Sequence, residues 1–262
     1  MLSDEVRQTV ARTLATAERD RKPVPPLRDT WPDLDVVDSY SIQLLNIADR
    51  LSRGASVRGH KVGLSSKAMQ EMMGVDEPDY GHLLSDMEVF SGVPVSAGRY
   101  CMPRVEVEVA FVLGQTLPGE GCTADDVLAA TDHVTASIEL IDSRITQWDI
   151  KIADTIADNA SSAGFVLGTA EIDPATVDLT AIEATLLCNG EEVAAGRSDA
   201  VLGNPVTAVA WLARKVASFG VALEAGHVIL PGSVHRAIDA HPGDSFEAVF
   251  TDLGSVQLSF TE

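Results

Sequence analysis

Apolar side chains at Leu2, Val6, Val10, Leu14 and Ala17 recur at steps of four and three, the spacing that lines one face of a helix. Asp4 and Glu5 stand at the start, where the helix dipole favours acids, so an amphipathic helix is predicted. Pro23, Pro25, Pro26 and Pro32 then predict an interruption. A second helical pattern follows, with Tyr40, Leu44, Ile47, Ala48 and Leu51 on one face and Gly54 as its stop. The texture changes from about residue 85. Short apolar runs at 105–113, 133–141, 163–168 and 184–190 are separated by Gly, Asn and Asp, and read as strands. One helix interrupts them: Asn204 caps it, Pro205 fits its first position, Val209, Leu212, Val216 and Phe219 form its face, and Gly220 ends it. Strands clustered late favour an α+β fold over a doubly wound sheet, with a mainly helical region over 1–75 and a β-rich body over 76–262. No GxGxxG or GxxxxGK[ST] motif is present.

At 262 residues, with 45% hydrophobic and 22% charged, the chain is long and apolar enough for a real core. The 39 acids against 19 bases give a net charge of -20, which repels nucleic acid and anionic membranes, so neither is expected as a partner. The charged N-terminus has no apolar signal core and no stretch suits a membrane span; Cys101, Cys122 and Cys188 form no CxxC pair. The expectation is a cytoplasmic protein without a disulfide framework or structural zinc. The six histidines make no HExxH or HxH pair, and no GxSxG surrounds Ser65 and Ser66, so zinc and serine hydrolases are disfavoured. Met69, Met72 and Met73 with Glu71 suggest a helical patch for core or subunit packing.

Candidate chemistry begins at Pro103-Arg104-Val105-Glu106-Val107-Glu108-Val109. In a strand, Glu106 and Glu108 share one face while the valines point into the core from the other. Two carboxylates this close call for a cation, a proton or solvent; Mg²⁺ or Mn²⁺ would serve, and a solvated acidic sheet face is the alternative. Glu139, between apolar neighbours in a second strand, is placed to complete a three-carboxylate site. Asp142 fits better as a strand-end residue paired with Arg144. Lys61, flanked by Gly59 and Gly63, has room for close approach by a ligand; it is either a surface lysine or an ammonium that stabilises an enolate, or that shuttles a proton if burial lowers its pKa.

The ordered segments GHKVGLSS, PDYGHLL, PRVEVEVAFVLG, SIELIDSRI and DNASSAGFVLG, followed by ILPGS and HPGDSFEAVFTDLGSVQLSF, resemble the hydratase/decarboxylase family of aromatic meta-cleavage pathways, within the wider fumarylacetoacetate hydrolase superfamily. This resemblance implies a β-rich roll or sandwich carrying an Mg²⁺ or Mn²⁺ held by Glu106, Glu108 and Glu139. It further implies Lys61 and Asp79 as catalytic groups, and Asn159, Ser161 and Ser162 as substrate-binding residues. The implied reaction is hydration of 2-hydroxypenta-2,4-dienoate, or a short alkyl homologue, to a 4-hydroxy-2-oxo acid. Decarboxylation of the 4-oxalocrotonate type is the nearer alternative, and a non-catalytic metal-binding or scaffold subunit the farther one. A homo-oligomer of high order is implied as well.

Overall fold

Helix α1 (Asp4–Asp20) starts where the Ser3 hydroxyl accepts the Val6 amide, and it buries Val10, Ala11, Leu14 and Ala17, the face that the spacing predicts. Within the proline-rich interruption a single turn, α2 (Leu27–Thr30), forms because the buried Asp154 carboxylate accepts the Leu27 amide. The second expected helix is α3 (Val36–Ser52), but its buried face is rotated from the apolar stripe. Tyr40 and Ile47 are buried, whereas Ala48 and Leu51 are exposed, and Asp38, Ser39, Ile42 and Gln43 point inward. The polar members are buried because they have partners. Asp38 accepts from Arg7 and from the Leu2 amide, and Gln43 donates to the carbonyls of Tyr80 and Ile156.

A computed structural model describes all residues 1–262. After α3 come β1 (Val57–Gly63), α4 (Lys67–Met73), β2 (Asp79–Leu84), β3 (Glu88–Phe90) and β4 (Val95–Ser96). The long strands β5 (Pro103–Leu113) and β6 (Thr131–Asp142) flank α5 (Ala124–Ala130) and are followed by α6 (Ile152–Ala157) and β7 (Ser162–Leu167). A hairpin of β8 (Glu183–Cys188) and β9 (Glu191–Arg197) precedes α7 (Pro205–Ala217), where the Asn204 side chain accepts the Val206 amide as its cap pattern predicts. Short strands β10 (Val228–Leu230) and β11 (Ile238–Asp239) lead to a last hairpin, β12 (Ser245–Phe250) and β13 (Gly254–Thr261).

One sheet runs β2-β1-β10-β5-β6-β7-β3, with β11 also on β5; the other runs β4-β13-β12-β8-β9. The two pack together where β12 and β13 meet β6, and the valines of β5 join one continuous core with Leu186, Phe246 and Leu258 of the second sheet. This is the α+β sandwich expected, with one correction. Strand β1 lies inside the first sheet, between β2 and β10, so residue 75 does not divide helices from strands; the N-terminal helices end at Ser52. Of the two uses expected for the methionine patch, core packing is not found: Met69 and Met72 of α4 are exposed, and the buried residue there is Gln70, which donates to the Leu64 carbonyl.

Candidate active site

Antiparallel pairing sets Glu106 of β5 directly opposite Glu139 of β6, and Glu108 opposite Ser137. Opposed residues on one face have Cβ atoms about 5 Å apart, close enough for like charges to destabilise the pair. Oxygens from Glu106, Glu108 and Glu139 all lie within 4.8 Å of one another. Glu108 Oε2 accepts the Gly232 amide at 2.6 Å, while Glu108 Oε1 and both Glu139 oxygens are buried without a hydrogen bond. Burial pushes all three carboxyls up, Glu106 to about 7, and repulsion from Glu139 adds to the push on Glu106 and Glu108. The nearest compensating charge is Lys61, whose Nζ is 3.4 Å from Glu139 Oε2. When all three are ionised, one ammonium leaves two negative charges over, and the orphaned oxygens are hard donors. The set fits a divalent Mg²⁺ or Mn²⁺.

Lys61 and Asp79 reach the site from the paired strands β1 and β2, where Lys61 stands opposite Gly81 and Gly63 opposite Asp79. The glycines make the room. A Cβ on Gly63 would lie 2.2 Å from Asp79 Oδ1, and one on Gly81 would lie 2.3 Å from the Asn159 carbonyl oxygen. The Lys61 ammonium donates to the Ala160 carbonyl at 3.1 Å. Burial alone lowers its pKa, but Glu139, Glu106 and Asp79 outweigh that and hold it above the ordinary lysine value. Without a bound cation on those carboxylates, Lys61 is thus held in its charged form, the opposite of the lowered pKa that proton shuttling asks for. The Asp79 carboxyl behaves oppositely: burial pushes it up to about 6 although Lys61 opposes the shift.

The segment Asn159-Ala160-Ser161 takes three successive left-handed conformations, with φ of 55°, 50° and 57°. This turn aims the Ala160 carbonyl at Lys61. It also fixes Asn159, whose side chain accepts the His82 amide and donates to the His82 carbonyl. Those bonds staple the turn to β2 and leave one amide N–H unused. Ser161 and Ser162 are both buried with hydroxyls that find no partner. Ser161 lines the cavity shared by Lys61, Asp79 and Glu106, and Ser162 lies beside Glu139. Asp142 is outside the cluster. Its carboxylate accepts the amides of Cys101 and Met102, and Arg144 pairs with Asp158 at 2.6 Å, so the expected Asp142–Arg144 side-chain pair does not form.

The cavity encloses about 100 Å³ and is walled on its apolar side by Met69, Ile141, Trp148 and Ile150. Sequence reasoning missed Trp148, the Ala160 carbonyl and the Gly232 amide. The last had a signal in the ILPGS segment, because Gly232 allows Ser65 to lie where its Cβ would be, 1.9 Å from Ser65 Oγ.

Residues 60–261 match the model of the fumarylacetoacetate (FAA) hydrolase C-terminal region. The chain belongs to the fumarylacetoacetate hydrolase family. Within this family it is 42% identical to 2-keto-4-pentenoate hydratase of Paraburkholderia xenovorans, covering 99% of this chain and 96% of that one. It is 40% identical to 2-oxo-hept-4-ene-1,7-dioate hydratase of Escherichia coli, covering 99% and 100%. Among solved structures, 4-oxalocrotonate decarboxylase from Pseudomonas putida, complexed with magnesium and adipate, superimposes with a TM-score of 0.95 at 34% identity over 99% of both chains.

Proposed function

We propose that the protein is a hydro-lyase that adds water to 2-hydroxypenta-2,4-dienoate or a short alkyl homologue, giving a 4-hydroxy-2-oxo acid in the breakdown of aromatic or steroid rings. The observation that carries this reading is the cluster of Glu106, Glu108 and Glu139 with the Lys61 ammonium beside it, bordering a small cavity that Lys61, Asp79 and Glu106 line. Glu106, Glu108 and Glu139 would hold Mg²⁺ or Mn²⁺, which when bound supplies a Lewis acid for the carboxylate and C2 oxygen of the substrate. Lys61 holds negative charge at the C2 oxygen as the enol becomes a ketone. Asp79, whose carboxyl is pushed up to about 6, keeps a minor protonated fraction at neutral pH, far more than an ordinary aspartate, and gives that proton to C5. The proton that the enol oxygen loses replaces it. Water then adds across C3 and C4, the hydroxyl on C4 and the hydrogen on C3, drawn by the ketone through the conjugated chain. Ser161 and Ser162 supply buried, unpartnered hydroxyls for the substrate carboxylate.

The assay is loss of dienol absorbance from 2-hydroxypenta-2,4-dienoate with Mg²⁺ or Mn²⁺; no loss beyond the uncatalysed rate sinks the proposal. A decarboxylase reading draws on the likeness to 4-oxalocrotonate decarboxylase, since loss of CO₂ needs the same electron sink at the head of the substrate. Release of CO₂ from 4-oxalocrotonate with little hydration of the monocarboxylate would move the assignment. The same reading takes the protein as a cytoplasmic homo-oligomer of high order. The free thiols suit a reducing compartment, and exposed Met72, Phe90 and Val93 offer apolar contact surface. No helix is long and apolar enough to cross a membrane.

A further inference from the structure

Alternation along β5 places Arg104 on the same face as Glu106 and Glu108, about 7 Å from Glu106 along the strand. A cation so close to the carboxylate cluster would ordinarily be a receptor for the far end of a doubly charged substrate. Arg104 is not free to be one. Its Nε donates to Asp239 Oδ1 at 2.7 Å, and its guanidinium stacks 4.5 Å from the centre of the Trp148 ring. Trp148 itself lines two spaces. On one side is the 100 Å³ cavity with Lys61 and Glu106, and on the other a cavity of about 530 Å³ bounded by Arg104, Asp239 and His241. Arg104 borders only the second.

We propose that Trp148 is the specificity-determining wall at the far end of the substrate pocket, excluding a second carboxylate by screening it from Arg104. The wall is firmly set. Trp148 Nε1 donates to the Met102 carbonyl at 3.1 Å, and the backbone at Gln147 and Trp148 is left-handed, with φ of 58° and 56°. Facing the substrate it presents an aromatic surface flanked by Met69, Ile141 and Ile150, which accept a methyl or vinyl end and leave a carboxylate desolvated and unpaired. Removing the indole would join the two cavities and bring Arg104 within reach of a 1,7-dioate.

The inference rests on the proposed hydratase reading for its substrate head, and its test is binding instead of turnover. The saturated acids 2-oxopentanoate and 2-oxoheptanedioate keep that head and have no double bond to hydrate. In calorimetric titrations of the Mg²⁺-loaded protein, the natural chain is expected to bind 2-oxopentanoate at least tenfold more tightly. Trp148→Ala should raise the affinity for the dioate about tenfold, and Trp148→Ala combined with Arg104→Met should lose that gain. Equal binding of the two acids by the natural chain, an unchanged ratio in Trp148→Ala, or a gain that survives loss of Arg104 would each overturn the inference. Trp148→Leu serves the same comparison if circular dichroism shows the alanine variant unfolded. Hydration of the pentadienoate is measured on the same natural sample. The binding preference without hydration sinks the hydratase reading alone, hydration without the preference sinks this inference alone, and binding of neither acid overturns both.

Discussion

Glu108→Gln keeps the shape of the side chain and its bond from the Gly232 amide while removing a charge that has no cation of its own. Mn²⁺ affinity, followed by titration, is expected to fall at least about 100-fold. Thermal stability in chelator should move the other way, rising by about 1 to 3 kcal/mol, because an orphaned buried oxygen no longer has to be desolvated as an ion. Gly63→Ala probes the opposite wall. Its Cβ would lie 2.2 Å from Asp79 Oδ1, so Asp79 must move, and kcat should drop about 10- to 100-fold while Mn²⁺ titrates as before. Glu106 and Glu108 were legible in the sequence because strand alternation forces neighbours two apart onto one face. Asn159 was legible only as a polar residue near a turn, and which backbone its amide would hold depends on a left-handed geometry that no local pattern announces. The Ala160 carbonyl was invisible, since every residue has one.

Strands proved more readable than helix faces, and α3 shows why. An apolar stripe assumes that burial follows hydropathy, but Gln43 is buried because its amide bonds two carbonyls on different elements, turning the helix away from Ala48 and Leu51. With its nitrogen so engaged, Gln43 accepts through Oε1, and His82 Nδ1, 3.1 Å away, carries the proton. Neutral His82 lies against buried His60 across β1 and β2, the rings tilted by 56° with centroids 4.6 Å apart, and burial, reinforced by neighbouring histidines, lowers both pKa values, that of His82 to about 4. The unfolded chain takes up a proton at His82 near pH 6.5, whereas the folded chain does not until about pH 4. Stability from this group is therefore complete above about pH 6.5 and declines as pH falls towards 4, by a total of about 3 kcal/mol. Urea unfolding between pH 7.5 and 5 should show that decline, and His82→Gln should flatten it.

For the whole molecule, the surplus of negative charge at the Glu106, Glu108 and Glu139 cluster makes metal binding and folding one equilibrium. Mg²⁺ at 100 times its Kd is expected to add about 2.7 kcal/mol to unfolding, and chelator should remove it together with the activity. An unfolding midpoint indifferent to both would contradict the metal assignment. Light scattering at micromolar concentration is expected to give a large multiple of the 27.8 kDa chain mass, and a monomer mass would refute the proposed assembly. The two-sheet body follows from the apolar runs, but its boundary does not. Strand β1 is short and glycine-rich, and it is recruited by pairing with β10, some 170 residues later in the chain. Such long-range pairing is set by closure of the sheet and lies outside any local window.

The turn at Asn159-Ala160-Ser161 bears on how this sequence can change over generations. A non-glycine residue held left-handed costs on the order of 1 kcal/mol, and glycine at the middle position would relieve it. Yet that same residue carries the oxygen on which the Lys61 ammonium rests. A library selected only for heat tolerance should therefore enrich Ala160→Gly, and its survivors should turn over substrate more slowly than their parent, because the relaxed turn no longer fixes where the lysine points. Selection for catalysis pulls against that exchange, which leaves alanine in a conformation that glycine would adopt more readily.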